Sequence, residues 1–537
     1  MSDTLDTGNA PPGAPADAPH IDDNRITPAI LKVAGVVVLG SIMAILDTTV
    51  VNVALPTFQK EFGVEEYSTV AWTITAYTLA LAAVIPVTGW AADRFGTKRL
   101  YMTALALFTA GSVLCATAWS IESLIAFRVL QGLGGGMLMP LGMTIMTKAA
   151  GPHRIGRLMA ILGVPMLLGP ILGPILGGWL IDSASWQWIF LINLPLGIIA
   201  IIYAWRVLAP DSPEPSETFD IVGMLLLSPG LALFLYGVSS IPANGTVAAA
   251  GVLVPGLIGL VLMIAFVFWA FRPKHPLLDL RLFENRNLTV ATLVMFLFAA
   301  SFFGALLLVP TYFQQVRGES VLMAGVLVAP QGLGAMLTMP IAGGLVDKYP
   351  VGRIVPIGFL LLIAGMSGLA MSTDPSTPLA QILVCLFVLG MGMGATMMPT
   401  FTSALKTLQS HQVARGSTLI NVIQQIAASV GVATISVVLT NQINSSEAIR
   451  ATRALGEAQA AGIDVPSWAA EIAARLGDAL QPLAMTDLAH SFSVSYWVAT
   501  AALIVTFVVA VLFLPRKHEE SHFMDDQTGP DAPVMVH

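Results

Sequence analysis

Residues Ile30 to Pro56 read ILKVAGVVVLGSIMAILDTTVVNVALP. Only Lys32 and Asp47 carry charge in this run, and at about 1.5 Å per residue it is long enough to cross about 30 Å of hydrocarbon as a helix. Thirteen further stretches of this kind follow, at 68–92, 99–119, 122–147, 156–182, 186–208, 220–240, 247–271, 288–313, 322–346, 353–372, 379–402, 414–440 and 493–514. The chain therefore reads as an all-α membrane protein with fourteen transmembrane helices. Composition agrees: 55% of residues are hydrophobic and 11% charged, against about 25% charged in a soluble domain.

Charge placement sets the expected topology. Lys and Arg cluster in the connections at 94–99, 148–157, 272–286, 348–353 and 516–517, and the alternate connections hold only Lys60, Arg317, Arg450, Arg453 and Arg475. Basic residues resist translocation, so both termini are expected in the cytoplasm and the span count should be even. Residues 1–29 are rich in Pro, Ala and Asp, lack the basic start and apolar centre of a signal peptide, and read as a disordered cytoplasmic tail. Residues 516–537 form a second such tail. A net charge of -7 without a basic stripe argues against nucleic acid. Cys115 and Cys385 sit in separate spans and the 8 His show no paired spacing, so no disulfide or metal is expected.

The chain repeats itself. Pro86, Gly89, Asp93 and Arg94 recur with the same spacing as Pro340, Gly343, Asp347 and Lys348, 254 residues later. Six spans with short loops need about 180 to 200 residues, so the offset leaves room for an extra hairpin. The expected organisation is a six-helix bundle at 30–210, an inserted hairpin at 211–275, and a second six-helix bundle at 276–515. Its long outer segment, 441–490, reads as one or two short amphipathic helices around Pro466.

Four motifs carry a family resemblance. Gly89 to Arg99, GWAADRFGTKR, follows the second span; LDTTVVNVALP ends the first; Arg128-Val129-Leu130-Gln131-Gly132 opens the fourth; and Gly169, Gly173-Pro174 and Gly177-Gly178 punctuate the fifth. Together they resemble the major facilitator superfamily, and within it the 14-spanner drug:proton antiporters of the EmrB/QacA type. The resemblance implies the major facilitator fold, two six-helix bundles plus an inserted pair, and proton-driven multidrug efflux, with antibiotic resistance as its consequence. A P-loop, GxxxxGK[ST], is missing, so the energy is expected from the proton gradient without a cofactor, and no enzymatic activity is expected. Export of an endogenous metabolite or lipid on the same fold stays open, as does a non-transporting membrane subunit. No residue pattern names an accessory envelope protein.

The residue types point to roles. Asp47 lies deep in the first span, past the midplane toward the outside, where a charge costs at least about 2.5 kcal/mol; it fits proton coupling or structural pairing. Arg128 stays charged, so it either sets the proton affinity of a neighbouring acid or tethers two helices. Gly132, Gly134, Gly135 and Gly136 suit close helix packing. Pro165, Gly169, Gly173 and Gly177 form a smooth face, flanked by Pro170, Pro174 and Gly178, expected to seal a gate between the two halves. Gly89, Asp93, Arg94, Gly96, Lys98 and Arg99 suit a cytoplasmic latch in which the acid docks on a helix N-terminus. Asp347 carries that role only weakly, because Pro350 and Gly352 replace Gly96 and Lys98. Asn52, Trp72, Tyr77, Gln131, Gln331, Asn421, Gln424 and Gln425 either line a substrate cavity or bond helix to helix. Lipophilic small molecules, protons and the bilayer are the expected partners.

Overall fold

The computed structural model describes residues 27–516, apart from 65–66, most of 151–174, 182, 212–217, 242–247, 307, 347, 410–411 and 463. Among the described residues, thirteen helices are long and apolar enough to cross a membrane. The first four are α1 (Pro28–Glu61), α2 (Tyr67–Phe95), α3 (Thr97–Ala116) and α4 (Ile121–Ala150). The expected span at 156–182 falls largely outside the described residues, although 175–181 are helical. There follow α5 (Trp188–Val207, broken at Ile192), α6 (Ile221–Ser239) and α7 (Ala250–Ala270). The second half contains α8 (Arg286–Gln315), α9 (Leu322–Val346), α10 (Val351–Met371), α11 (Leu379–Lys406) and α12 (Val413–Ser445). After α12 come α13 (Glu447–Ala461), α14 (Ser467–Leu476) and α15 (Leu480–Phe513).

Local chemistry explains the starts. Thr27 caps α1 by accepting a hydrogen bond from Ile30 N (3.4 Å), with Pro28 opening the helix where no amide donor is needed. Asp220 caps α6, accepting from Gly223 N (2.8 Å), from Trp269 Nε1 (2.9 Å) at the end of α7, and from Leu277 N (3.1 Å). One carboxylate thus closes the foot of the inserted hairpin. The segment between α12 and α15 holds two short helices, α13 and α14, hinged at Pro466 and packed on the start of α15 through Ala448, Ala451, Leu480 and Ala484.

The hairpin lies along the seam between the halves. Tyr236 of α6 stacks on Trp72 of α2 with centroids 5.4 Å apart, and Phe219 lies 4.3 Å from the Trp90 ring. Ile241 and Val252 cluster with Ala433 of α12. The halves themselves meet at the ends of α2 and α4 beside the start of α12. There Thr144 and Ser417 share a 3.0 Å hydrogen bond, and Asn421 Nδ2 donates to Met143 Sδ (3.4 Å). Gly89 lets α2 approach Thr418 and the Ala414 carbonyl, a space a side chain would fill.

Candidate functional site

Asp47 and Arg128 meet. Fully enclosed between α1 and α4, Arg128 Nη1 lies 2.5 Å from Asp47 Oδ2, with both side chains withdrawn from solvent. Gln131, one turn beyond Arg128, closes the triangle: its Oε1 accepts from Arg128 Nη1 (2.8 Å) and its Nε2 donates to Asp47 Oδ1 (2.7 Å). Arg128 Nε donates to the Thr73 carbonyl of α2 (3.0 Å), and the guanidinium carbon sits 4.1 Å over the Tyr77 ring. Three helices therefore converge on one ion pair. Burial of both charges is tolerable because each oxygen and most of the guanidinium donors are bonded.

Two further residues complete the network. Asn193 Nδ2 donates to Asp47 Oδ1 (3.3 Å) and to Ser112 Oγ (3.1 Å), and Ser112 in turn donates to the Phe190 carbonyl (2.9 Å). Asn193 starts the second piece of α5, just after the irregular residue Ile192 and before Pro195, a break that turns its amide toward α1. Sequence reasoning missed both residues. The available signal was a lone Asn in the apolar run Phe190-Leu191-Ile192-Asn193-Leu194-Pro195. A small cleft beside the carboxylate is lined by Leu46, Asp47, Val50, Leu176, Leu180, Ile189, Ile192, Asn193 and Leu196.

Small residues in α4 allow these helices to come together. A Cβ at Gly132 would meet the Tyr77 carbonyl, one at Gly134 the Phe108 amide, and one at Gly136 the Leu81 carbonyl. The fifth-span glycines behave differently from expectation. Gly169, Gly173 and Gly177 face Ile45, Thr49 and Val50 of α1, within their own bundle. At these positions the smooth face is an approach between neighbouring helices rather than a seal between halves, because α1 supplies the bulk that fits it. Gly178 meets open space, and Pro165, Pro170 and Pro174 lie outside the described residues.

The loop motif divides into two groups. Asp93 crosses to the other half, where Arg415 Nε in the first turn of α12 lies 3.2 Å from Asp93 Oδ2. Lys98 and Arg99 stay within the first bundle: their backbone amides donate to Asp211 (2.7 and 2.9 Å), while Lys98 Nζ holds the carbonyls of Trp205 (2.8 Å) and Leu208 (2.6 Å) at the end of α5. The latch reading is corrected for these two, since their partners belong to α5 and its following loop. Gly96 has φ +93 and lies against Asp211, so a side chain there would be strained and would displace the capping acid. Arg94 is half-buried, and Asp347 lies outside the described residues.

Of the expected cavity residues, Gln131 and Tyr77 belong to the ion-pair network. Trp72 packs on the hairpin instead, because Tyr236 offers it a flat aromatic face. Asn52 is exposed and bonds back to the Thr48 carbonyl (3.1 Å), Gln331 is buried beside Gly390, and Asn421 joins the halves. Gln424 and Gln425 are half-buried in α12.

Residues 37–432 match a family profile described as Major Facilitator Superfamily. The chain is 47% identical to the "Multidrug resistance protein B homolog" of Mycobacterium tuberculosis over 522 residues, covering 95% of each. It is 32% identical to the "Multidrug export protein EmrB" of Haemophilus influenzae over 73% of this chain and 77% of that one. In fold it is similar to the human organic anion transporter MFSD10, with a TM-score of 0.60, 16% identity, and coverage of 90% of this chain and 100% of the other. The proton:xylose symporter XylE gives a TM-score of 0.58 at 14% identity, covering 92% and 97%.

Proposed function

The chain belongs to the major facilitator superfamily, and on that premise we propose that it is a proton-coupled antiporter exporting drugs or other lipophilic small molecules across the cytoplasmic membrane by alternating access. The observation that carries the reading is the enclosed Asp47–Arg128–Gln131 network. A buried acid facing a permanent cation has two states of different charge, and each favours a different packing of α1 on α4. A proton arriving at Asp47 removes the anion that Arg128 Nη1 holds. Arg128 keeps Gln131 and the Thr73 carbonyl, and α1 loses its strongest tie to α4. Substrate binding and proton binding then compete through the same local charge, which is the coupling free energy that antiport requires.

In this reading the basic end faces the cytoplasm, with both termini there, and the Asp93–Arg415 pair closes that end between α2 and α12. The names of the relatives, multidrug resistance and multidrug export, support drugs as substrate class. The decisive measurement is uptake of a lipophilic cationic dye into inverted membrane vesicles, with and without an uncoupler, for the wild type and Asp47→Asn. Uncoupler-sensitive uphill uptake lost in Asp47→Asn is expected. Uphill uptake that survives the substitution refutes proton coupling through Asp47.

A further inference from the structure

We propose that Asn193 is the positioning residue that stabilises Asp47 in its protonated state, by reversing its amide so that its carbonyl accepts the new acid proton. The inference rests on the proposed role of Asp47 and adds a second residue to it.

The three side chains bonded to the carboxylate are not equivalent. Arg128 has donors only, so it can bond the carboxylate but not a carboxylic O–H. Gln131 could in principle present its carbonyl, but that oxygen already accepts from Arg128 Nη1 (2.8 Å) and from Cys115 Sγ (3.5 Å). Turning it over would set an NH₂ group against the guanidinium. Asn193 is free of that restraint. Its Nδ2 bridges Asp47 Oδ1 and Ser112 Oγ, and Ser112 is a hydroxyl, which donates and accepts equally well.

When the Asn193 amide turns over, its carbonyl faces both groups. Protonated Asp47 then donates to Asn193, and Ser112 swings its hydroxyl from the Phe190 carbonyl to the same oxygen. The turn of the amide itself breaks no bond to Arg128, because Asn193 is bonded only to Asp47 and Ser112. The proton balance is simple: one proton joins the Asp47 carboxylate, no covalent bond in Asn193 or Ser112 changes, and the reverse turn accompanies release. Asn193 also lines the small cleft beside Asp47, with Leu46, Val50 and Ile189, and a reversed amide occupies nearly the same volume as the original. Among the described residues, the charged and titratable groups facing Asp47 are Arg128 from α4, Tyr77 from α2 and Cys115 from α3; α5 contributes the neutral Asn193.

The test uses the full-length protein in lipid nanodiscs, titrated with acid and followed by infrared difference spectroscopy of protonated carboxyl C=O groups. Asp47→Asn identifies the Asp47 band. If no band vanishes in that variant, the underlying reading of Asp47 is at fault rather than the inference. Asn193→Val and Asn193→Thr have nearly the same shape and differ by a hydroxyl. In Asn193→Val the Asp47 band is expected to rise toward the frequency of an unbonded acid, because no side-chain acceptor is left to take its proton. Asn193→Thr, whose hydroxyl can accept, is expected to keep the band near its wild-type frequency. Identical behaviour of Val, Thr and wild type overturns the inference. Wild-type protein with ¹³C-labelled Asn side-chain amides tests it without substitution: an amide C=O band moves with the same midpoint as the Asp47 band, and amide bands that stay still through that midpoint overturn the inference equally.

Discussion

At the residue scale the ion pair dictates what substitutions do. Asp47 and Arg128 are both withdrawn from water, so removing either leaves an uncompensated buried charge, a loss of about 3 to 5 kcal/mol where such pairs have been broken. Arg128→Ala is therefore expected to lower thermal stability and to abolish transport. Arg128→Lys keeps the charge but has no fork to hold Asp47, Gln131 and the Thr73 carbonyl together, and should keep part of the activity with an altered pH profile. Equal, full activity in both would reduce Arg128 to a packing residue. Both members of the pair were legible in the sequence because a charge in an apolar run needs a reason. That they touch was not legible, since 81 residues separate them and only the packing of α1 on α4 joins them. Asn193 escaped notice because an uncharged amide in an apolar helix has many uses.

At the element scale, close helix approach governs the region around the pair. The four-residue spacing of Gly169, Gly173 and Gly177 announced a smooth face, but spacing cannot say which neighbour it meets. The neighbour is α1, and Gly173 lies against Thr49, two residues beyond Asp47. A methyl group at Gly169 would overlap the Ile45 Cγ2 methyl, which is stiff at χ1 in a helix, so Gly169→Ala should already reduce transport, though less than the bulkier Gly169→Val. Gly173→Val places branched bulk against Thr49, whose hydroxyl bonds back to the Ile45 and Leu46 carbonyls, and it should displace α1. Transport in Gly173→Val is expected to fall at least tenfold with a leak of protons, the equivalent of about 1.4 kcal/mol; unchanged vesicle transport would remove α1 displacement as a control point. Between the halves, the Asp93–Arg415 pair is half-buried and is worth about 1 kcal/mol. Asp93→Asn should shift the balance toward an open basic end by about fivefold, read as faster cysteine labelling at Thr418. The double exchange Asp93→Arg with Arg415→Asp should restore part of the wild-type rate, and a double variant no slower to label than Asp93→Asn would argue against the pair.

At the scale of the whole molecule, span count and repeat spacing made the fold class, two bundles with an inserted hairpin, readable. The hairpin's seat across α2 and α12 was not, because its aromatic anchors, Tyr236 and Phe219, meet Trp72 and Trp90 only in the folded chain. The balance of buried charge across the molecule bears on substrate choice. Among the described residues, the buried charged side chains are Asp47, Arg128, Asp220 and Lys406, and only the first two lie deep in a span. Asp220 is committed to the hairpin foot, and Asp47 is already neutralised by Arg128. A substrate entering this interior finds at most one carboxylate, and only after Arg128 gives it up. Each further unpaired charge in a poorly solvated cavity costs several kcal/mol, whereas a neutral or singly charged lipophilic molecule needs mainly apolar surroundings. Neutral compounds and monocations are therefore expected to be exported well, and dications of matched lipophilicity at least tenfold less efficiently. Competition assays in inverted vesicles check this directly. A dication that competes on equal terms with its monocationic counterpart would mean that a second acid reaches the cavity.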